Sequence, residues 1–371
     1  MDVFSKLNKL DDSKLHPKFK VLRDEFFYRG AKSVVEEFSK GFVDRDNKFV
    51  REFQTTFHSS LWELYLNAIF KYFKLEIDYS YSRPDFIIKN ENTFYVEAVV
   101  SQIKKGGVDE SNRTLVDQLK MLQPISSRKE FTEIIDEAIS RHSNSIISKL
   151  KKYDDYKLCE WVDESKPYVV ALASYDQINY GKEYHYSMLA LLYGLYYCPE
   201  SKRFNKLSTI KKPDTDADLP LGFFLDEKYK NISAIIFSCT LSLGKLSSLN
   251  KSKCIDPSFI INIRQDDEIP FYKIHVVSEN NPEDLADGLF VFHNPFAKNK
   301  LPYDTFDKSN VMQYRYEKNK LTTEGYQTPL VARYATPNAL TPEPLKKIII
   351  QTAFSNYNVG CEGQDLYRAF S

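Results

Sequence analysis

Arg83-Pro84-Asp85-Phe86-Ile87-Ile88-Lys89, followed by Thr93-Phe94-Tyr95-Val96-Glu97-Ala98-Val99-Val100, is the stretch that decides the fold. Both runs are short and rich in β-branched and aromatic residues. Asn90-Glu91-Asn92 between them has the composition of a tight polar turn, so the pair reads as a β-hairpin. Antiparallel pairing brings Asp85, at the open end of one strand, close to Glu97, well along the other. An acid set among apolar residues of a central strand is costly to bury ionised, and it needs a compensating cation or a solvated cleft. Mg²⁺ suits such a pair, because it takes one or two carboxylates, keeps several waters and draws its remaining ligands from substrate phosphate.

Upstream, apolar residues recur at helical spacing from Leu61 through Phe73, which predicts a helix over 59–74 with Ser59 or Ser60 as N-cap and Glu63 on its surface. Three strands are predicted, near 75–80, 85–89 and 94–101. Residues 102–127 read as a long irregular connection, of a length more often functional than merely connective. A helix over 129–153 and a buried strand at 168–173 complete the order αβββαβ. If the last two strands are parallel in one sheet, the helix between them is a right-handed crossover. Singly, the Pro-Asp pair has a structural reading as turn chemistry and Glu63 as a solvated helix residue. The joint order of the three acids favours a site.

With 371 residues the chain can bury a large core. Lysine plus arginine equals aspartate plus glutamate at 51 each, so any nucleic-acid surface must be local. The five cysteines lack the C-x-x-C spacing of zinc sites, and an odd count argues against a closed disulfide framework; they read as buried thiols in a reducing compartment. No signal-peptide core and no apolar run of bilayer length is present, which predicts a cytoplasmic protein with no membrane partner. The layout reads as a helical layer over 1–50, a main domain over 51–300, and a C-terminal extension with a terminal helix over 301–371, marked by recurrent Thr-Pro pairs.

At this point the chain resembles the PD-(D/E)xK, restriction-endonuclease-like nuclease superfamily. Leu61-Trp62-Glu63-Leu64-Tyr65-Leu66, Arg83-Pro84-Asp85-Phe86 and Val96-Glu97-Ala98-Val99 are similar to a bacterial branch within it, as are Lys149-Leu150-Lys151-Lys152-Tyr153, Pro167-Tyr168-Val169 and His293-Asn294-Pro295. The resemblance spans roughly residues 50–302. It implies an α/β fold with a mixed central sheet, elaborated by N- and C-terminal helical additions. It further implies a Mg²⁺-dependent endonuclease, with Mn²⁺ as a substitute, cutting DNA in restriction or anti-phage defence, with Asp85, Glu97 and Glu63 at the metal. Cutting both strands of a duplex would favour a homodimer.

One position departs from that pattern. The acid of the last motif is followed two residues later by lysine in the superfamily, and here Val99 stands there. That lysine orients the attacking water or stabilises developing charge. Gln102, Lys104, Lys105 and Lys149 are the candidates for a relocated group, and Ser101 shares the face of Glu97. The alternative is a catalytically inactive nuclease fold that binds nucleic acid or a protein partner. The aromatic run 184–197 reads as core and the acidic run 214–218 as a solvated linker. His293 reads as a strand-end residue that touches substrate or sits in a stabilising turn. No glycine-rich phosphate loop is present, so no nucleotide cofactor is expected.

Overall fold

Tyr168–Tyr175 is buried at all eight positions, as expected of a strand covered on both faces of a parallel sheet. Around it the protein, in a computed structural model, is a mixed α/β fold. The structure describes residues 1–359 apart from 9, 90–92, 105, 109, 177–179, 255, 267–270, 307–310 and 326–327. The predicted turn at 90–92, Lys105 and Cys361 therefore lie outside the described residues.

The central sheet has eight strands in the spatial order β1 (Glu76–Asp78), β2 (Phe86–Lys89), β3 (Phe94–Gln102), β4 (Tyr168–Tyr175), β5 (Ala234–Ser238), β6 (Phe290–His293), β7 (Met312–Glu317) and β8 (Lys320–Gly325). The first three strands pair antiparallel, β3, β4 and β5 run parallel, and β6 and β8 reverse direction against β5 and β7. Helix α1 (His58–Tyr72) precedes β1, and helix α2 (Phe131–Tyr156) joins β3 to β4. The order helix, three strands, helix, strand is thus observed, with four short helical turns between β3 and α2 where irregular chain is predicted.

Side-chain alternation divides the core. Phe86, Ile88, Phe94, Val96, Val169 and Ala171 face the N-terminal helices and α1. Ile87, Tyr95, Val170 and Leu172 face α2 and the buried helix Tyr186–Tyr193. The aromatic run 184–197 is core as read, although the helix stops at left-handed Gly194 and the chain continues as the strand Leu195–Cys198. Each large aliphatic or aromatic side chain buried here contributes about 1.5–3 kcal/mol.

The start of α1 differs from the expectation. Phe57, at φ 44°, occupies the N-cap and offers no side-chain bond, while Ser59 and Ser60 lie inside the first turn. Phe57 is buried against Phe53 and His16, so packing sets the entry of the chain where a polar cap is absent. The strands after residue 300 enter the two larger sheets: β7 pairs with β6, and Leu330–Pro337 pairs with Ser258–Gln265 in a smaller three-stranded sheet covered by the C-terminal helix Glu343–Asn356. Between the sheets lies a buried ionic network in which Glu283 meets Arg333 and Lys245, and Asp287 meets Arg264. Among the described helices none is long and apolar enough to cross a membrane. Of the four described cysteines only Cys239 is buried; Cys159 and Cys198 are partly covered and Cys254 is exposed, so the reading as buried thiols holds for one of them.

Candidate active site

The register of the hairpin sets the site. Phe86 pairs with Val96 and Ile87 with Tyr95, so extending the ladder by one step puts Asp85 opposite Glu97. Asp85 Oδ2 accepts a hydrogen bond from the Ala98 backbone N–H at 2.8 Å, which fixes the carboxyl against β3 beside Glu97. The preceding turn is braced from the connection between the helices Arg29–Phe38 and Phe49–Thr55: the Arg45 guanidinium donates to the carbonyl oxygens of Tyr81, Pro84 and Asp85.

Glu97 is fully buried and both its oxygens are occupied. Lys149 Nζ and Lys152 Nζ donate to Oε1 at 2.8 and 2.5 Å, and the Tyr156 hydroxyl donates to Oε2 at 2.8 Å. These three residues stand at i, i+3 and i+7 of α2, on the face turned to β3. Lys149 is largely covered, whereas Lys152 is half exposed. Val99 packs into the layer under α2, and the ammonium groups on Glu97 come from α2.

The electrostatics follow from this arrangement. Burial pushes the Glu97 carboxyl up, but the ammonium groups of Lys149 and Lys152 outweigh it and hold the group below its ordinary value. Burial and then the Glu97 charge push Asp85 up to about 6, against the pull of the same lysines. Glu63 is pushed well above the usual carboxylate range, first by burial and then by Asp85.

The other predicted residues fall in different places. Glu63 comes from α1, on the opposite side of the sheet from α2, and reaches the electrostatic field of Asp85. Approach from two layers explains why Glu63, Asp85 and Glu97 are not among the groups of described residues whose ligand atoms all lie within 4.8 Å. The three are carboxylates, the hard oxygen donors that Mg²⁺ takes, and the charge nearest Glu97 is the ammonium of Lys152. Gln102 is exposed and one residue out of phase with Glu97, on the other face of β3. Lys104 pairs with Asp214 at 2.8 Å and with Glu137 at 3.7 Å, so neither Gln102 nor Lys104 meets the acids. His293 is buried with Nε2 at 2.8 Å from Gln313 Oε1, and Asn294 donates to the carbonyls of Tyr229 and Ile232; this motif is structural.

Lys152, Tyr156 and Arg45 were not singled out in the sequence. The heptad-like spacing of Lys149, Lys152 and Tyr156 carries the signal for two of them. At the mouth, Tyr81 stacks on Trp161 with ring centroids 4.7 Å apart, and Trp161 Nε1 donates to the Arg83 carbonyl. Exposed Tyr81 on the partly buried Trp161, with Arg83 and Lys152, thus stands beside the acids. Compared with protein-family models, with characterised proteins and with solved structures, the chain matches none of them.

Proposed function

We propose that the protein is a metal-dependent endonuclease with a restriction-endonuclease-like core, acting on DNA in restriction or anti-phage defence. The observation that carries this reading is the hydrogen bond of Asp85 to the Ala98 N–H beside Glu97, with Lys149 on Glu97 from the crossover helix. Asp85, Glu97 and Glu63 would hold Mg²⁺, or Mn²⁺ in its place, and a cation bound there would polarise a phosphate and lower the pKa of a water. Lys149 supplies a fixed positive charge where the attacked phosphate gains negative charge, the role left open by Val99. Lys152, half exposed, is the ammonium free to turn from Glu97 to a phosphate. Tyr81, Trp161 and Arg83 give a nucleic-acid strand a stacking surface and a cation at the rim. Because Asp85 titrates near 6, its ligating form accumulates above that pH and cleavage rises with it.

A second reading is a nuclease fold that binds nucleic acid or a protein partner without cutting. The full occupation of Glu97 by Lys149, Lys152 and Tyr156 favours it. A cleavage screen on plasmid and oligonucleotides with Mg²⁺, Mn²⁺ and EDTA separates the two. The nuclease reading expects cutting that EDTA stops and that folded Asp85→Asn lacks. Salt-sensitive DNA binding by a wild type that cuts nothing would establish the second reading instead.

A further inference from the structure

Two turns of α2 before Lys149, the same helix presents a different group to the next strand. His142, fully buried, has Nε2 3.2 Å from Ser174 Oγ near the C-terminal end of β4 and 3.9 Å from Asp176 Oδ2. Glu183, in the turn before the Tyr186–Tyr193 helix, is 0% exposed. His142, Asp176 and Glu183 each offer a ligand atom, and these atoms all lie within 4.8 Å of one another. Ligands bound at roughly 2.0–2.2 Å to one ion are separated by about 3–4.4 Å, so the span suits a single cation.

The hydrogen-bond inventory points the same way. Ser174 donates to Asp176 Oδ1 at 2.8 Å and stands near enough to Glu183 to favour its charged form, but Asp176 Oδ2, His142 Nδ1 and both oxygens of Glu183 are buried with no hydrogen bond of normal geometry among the described residues. No lysine or arginine among the described residues forms an ion pair with either carboxylate. Elsewhere this fold treats buried charge differently: Glu283 has Arg333 and Lys245, and Glu97 has Lys149 and Lys152. A proton on Glu183 would remove its charge and give one of its oxygens a hydrogen to donate, leaving the other short of a partner, which costs roughly 1–3 kcal/mol per unsatisfied group. A cation satisfies charge and lone pairs together. Burial keeps the His142 imidazole neutral, its pKa lowered to about 3, so its nitrogen lone pair is available. One imidazole nitrogen with two carboxylates suits a first-row transition ion better than Mg²⁺ or Ca²⁺.

The second such group, His16, His58 and Glu110, is less enclosed and already paired: His58 Nε2 lies 3.2 Å from Glu110 Oε1, and His16 Nδ1 accepts from the Lys18 N–H.

We propose that His142, Asp176 and Glu183 form a buried binding site for one divalent transition-metal ion of the Zn²⁺ or Mn²⁺ type, pinning α2 to the C-terminal end of β4 and to the turn that follows it. The site is independent of the nuclease reading, since it shares no residue with the Asp85 cluster. The test is metal content by mass spectrometry after the full chain is incubated with Zn²⁺ or Mn²⁺ and desalted. Asp176→Asn/Glu183→Gln that is folded by circular dichroism is expected to retain one equivalent per chain less than the wild type, and the same difference is expected when Asp85→Asn, which removes a ligand of the other proposed cation, is present in both chains. A wild type that retains neither metal, or a folded double variant that retains as much metal as the wild type, overturns the proposal. Should the double variant not fold, X-ray absorption at Zn²⁺ bound to the wild type decides. Nitrogen and oxygen scatterers at about 2.0–2.2 Å with a single imidazole support the site. A sulfur scatterer or two imidazoles place the ion elsewhere and sink it.

Discussion

Glu97 and Glu183 are both completely buried glutamates in the layer beneath α2, and the protein treats them in opposite ways. Glu97 meets two ammonium groups and a phenol, so its charge is compensated from within the chain and its carboxyl is held below the ordinary value. Glu183 meets another carboxylate and a neutral imidazole, and it is pushed well above that value by burial and then by Asp176. The difference teaches that burial alone does not set the state of an acid here. The charged groups within reach of each acid decide it.

The largest effect that would break this comparison is expected from Lys149→Met/Lys152→Met. The double variant leaves the Glu97 charge buried with Tyr156 alone, and unfolding in urea at pH 7 is expected to lose about 3–5 kcal/mol. Adding Glu97→Gln to that background should restore a large part of the loss; if the double variant unfolds at the wild-type urea concentration, Glu97 does not depend on the lysines.

The next expected effect is in the pH dependence of metal-free protein, and its sign differs between the two regions. Asp176 is raised from 3.8 to about 7 by burial, so between those values the folded chain holds a proton that the unfolded chain has lost. Stability therefore falls as pH rises through that window, by at most about 1.4 kcal/mol per pH unit, and is level above it. Glu97, lowered, contributes in the opposite sense: its stabilisation is full above its ordinary value of 4.5 and is lost as pH falls through the folded value. Comparing urea midpoints of wild type and Asp176→Asn from pH 4 to 8 in EDTA checks this, with the descending slope expected to shrink in the variant.

Tyr156→Phe sharpens the comparison on a smaller scale. It removes one hydrogen bond to a buried carboxylate and leaves both ammonium groups, for an expected loss of about 1.5 kcal/mol. The smallest effect belongs to Lys104→Ala, a part-exposed ammonium paired with Asp214 and Glu137 at the surface; its urea midpoint and any nuclease activity should match the wild type. A Lys104 variant deficient in cleavage alone would return that residue to the site.

Local chemistry carried much of this into the sequence. Phe86-Ile87-Ile88 and Phe94-Tyr95-Val96 are apolar runs on either side of a polar segment, so the hairpin and the proximity of Asp85 to Glu97 are legible in the sequence. Lys149 is one of four candidates the sequence offers for the basic group, beside Gln102, Lys104 and Lys105, and nothing in the sequence selects it or the trio it forms with Lys152 and Tyr156. That selection requires the rotation of α2 relative to β3, which is set by packing of Ile135, Ile139 and Ile146 across the sheet. Arg45 and the His142, Asp176 and Glu183 cluster were illegible for the same reason, since their members lie on separate elements that meet only in the folded chain. The cap of α1 misled because Phe57, an unlikely residue at positive φ, is held there by its buried ring.

Helix α2 has a further consequence for how this sequence can change over time. His142 and Lys149 are separated by seven residues, two turns of helix, and each is matched to a different height along the parallel strands: Ser174 for one, Glu97 for the other. Losing one residue between them would swing one group by about 100° relative to the other, so both cannot remain in phase. Substitutions are open to this helix, but insertions and deletions are closed to it. The exposed strands Arg203–Lys206 and Thr209–Lys211 answer to no such ruler. Length variation among descendants of this chain should collect there and spare the interval from 142 to 149.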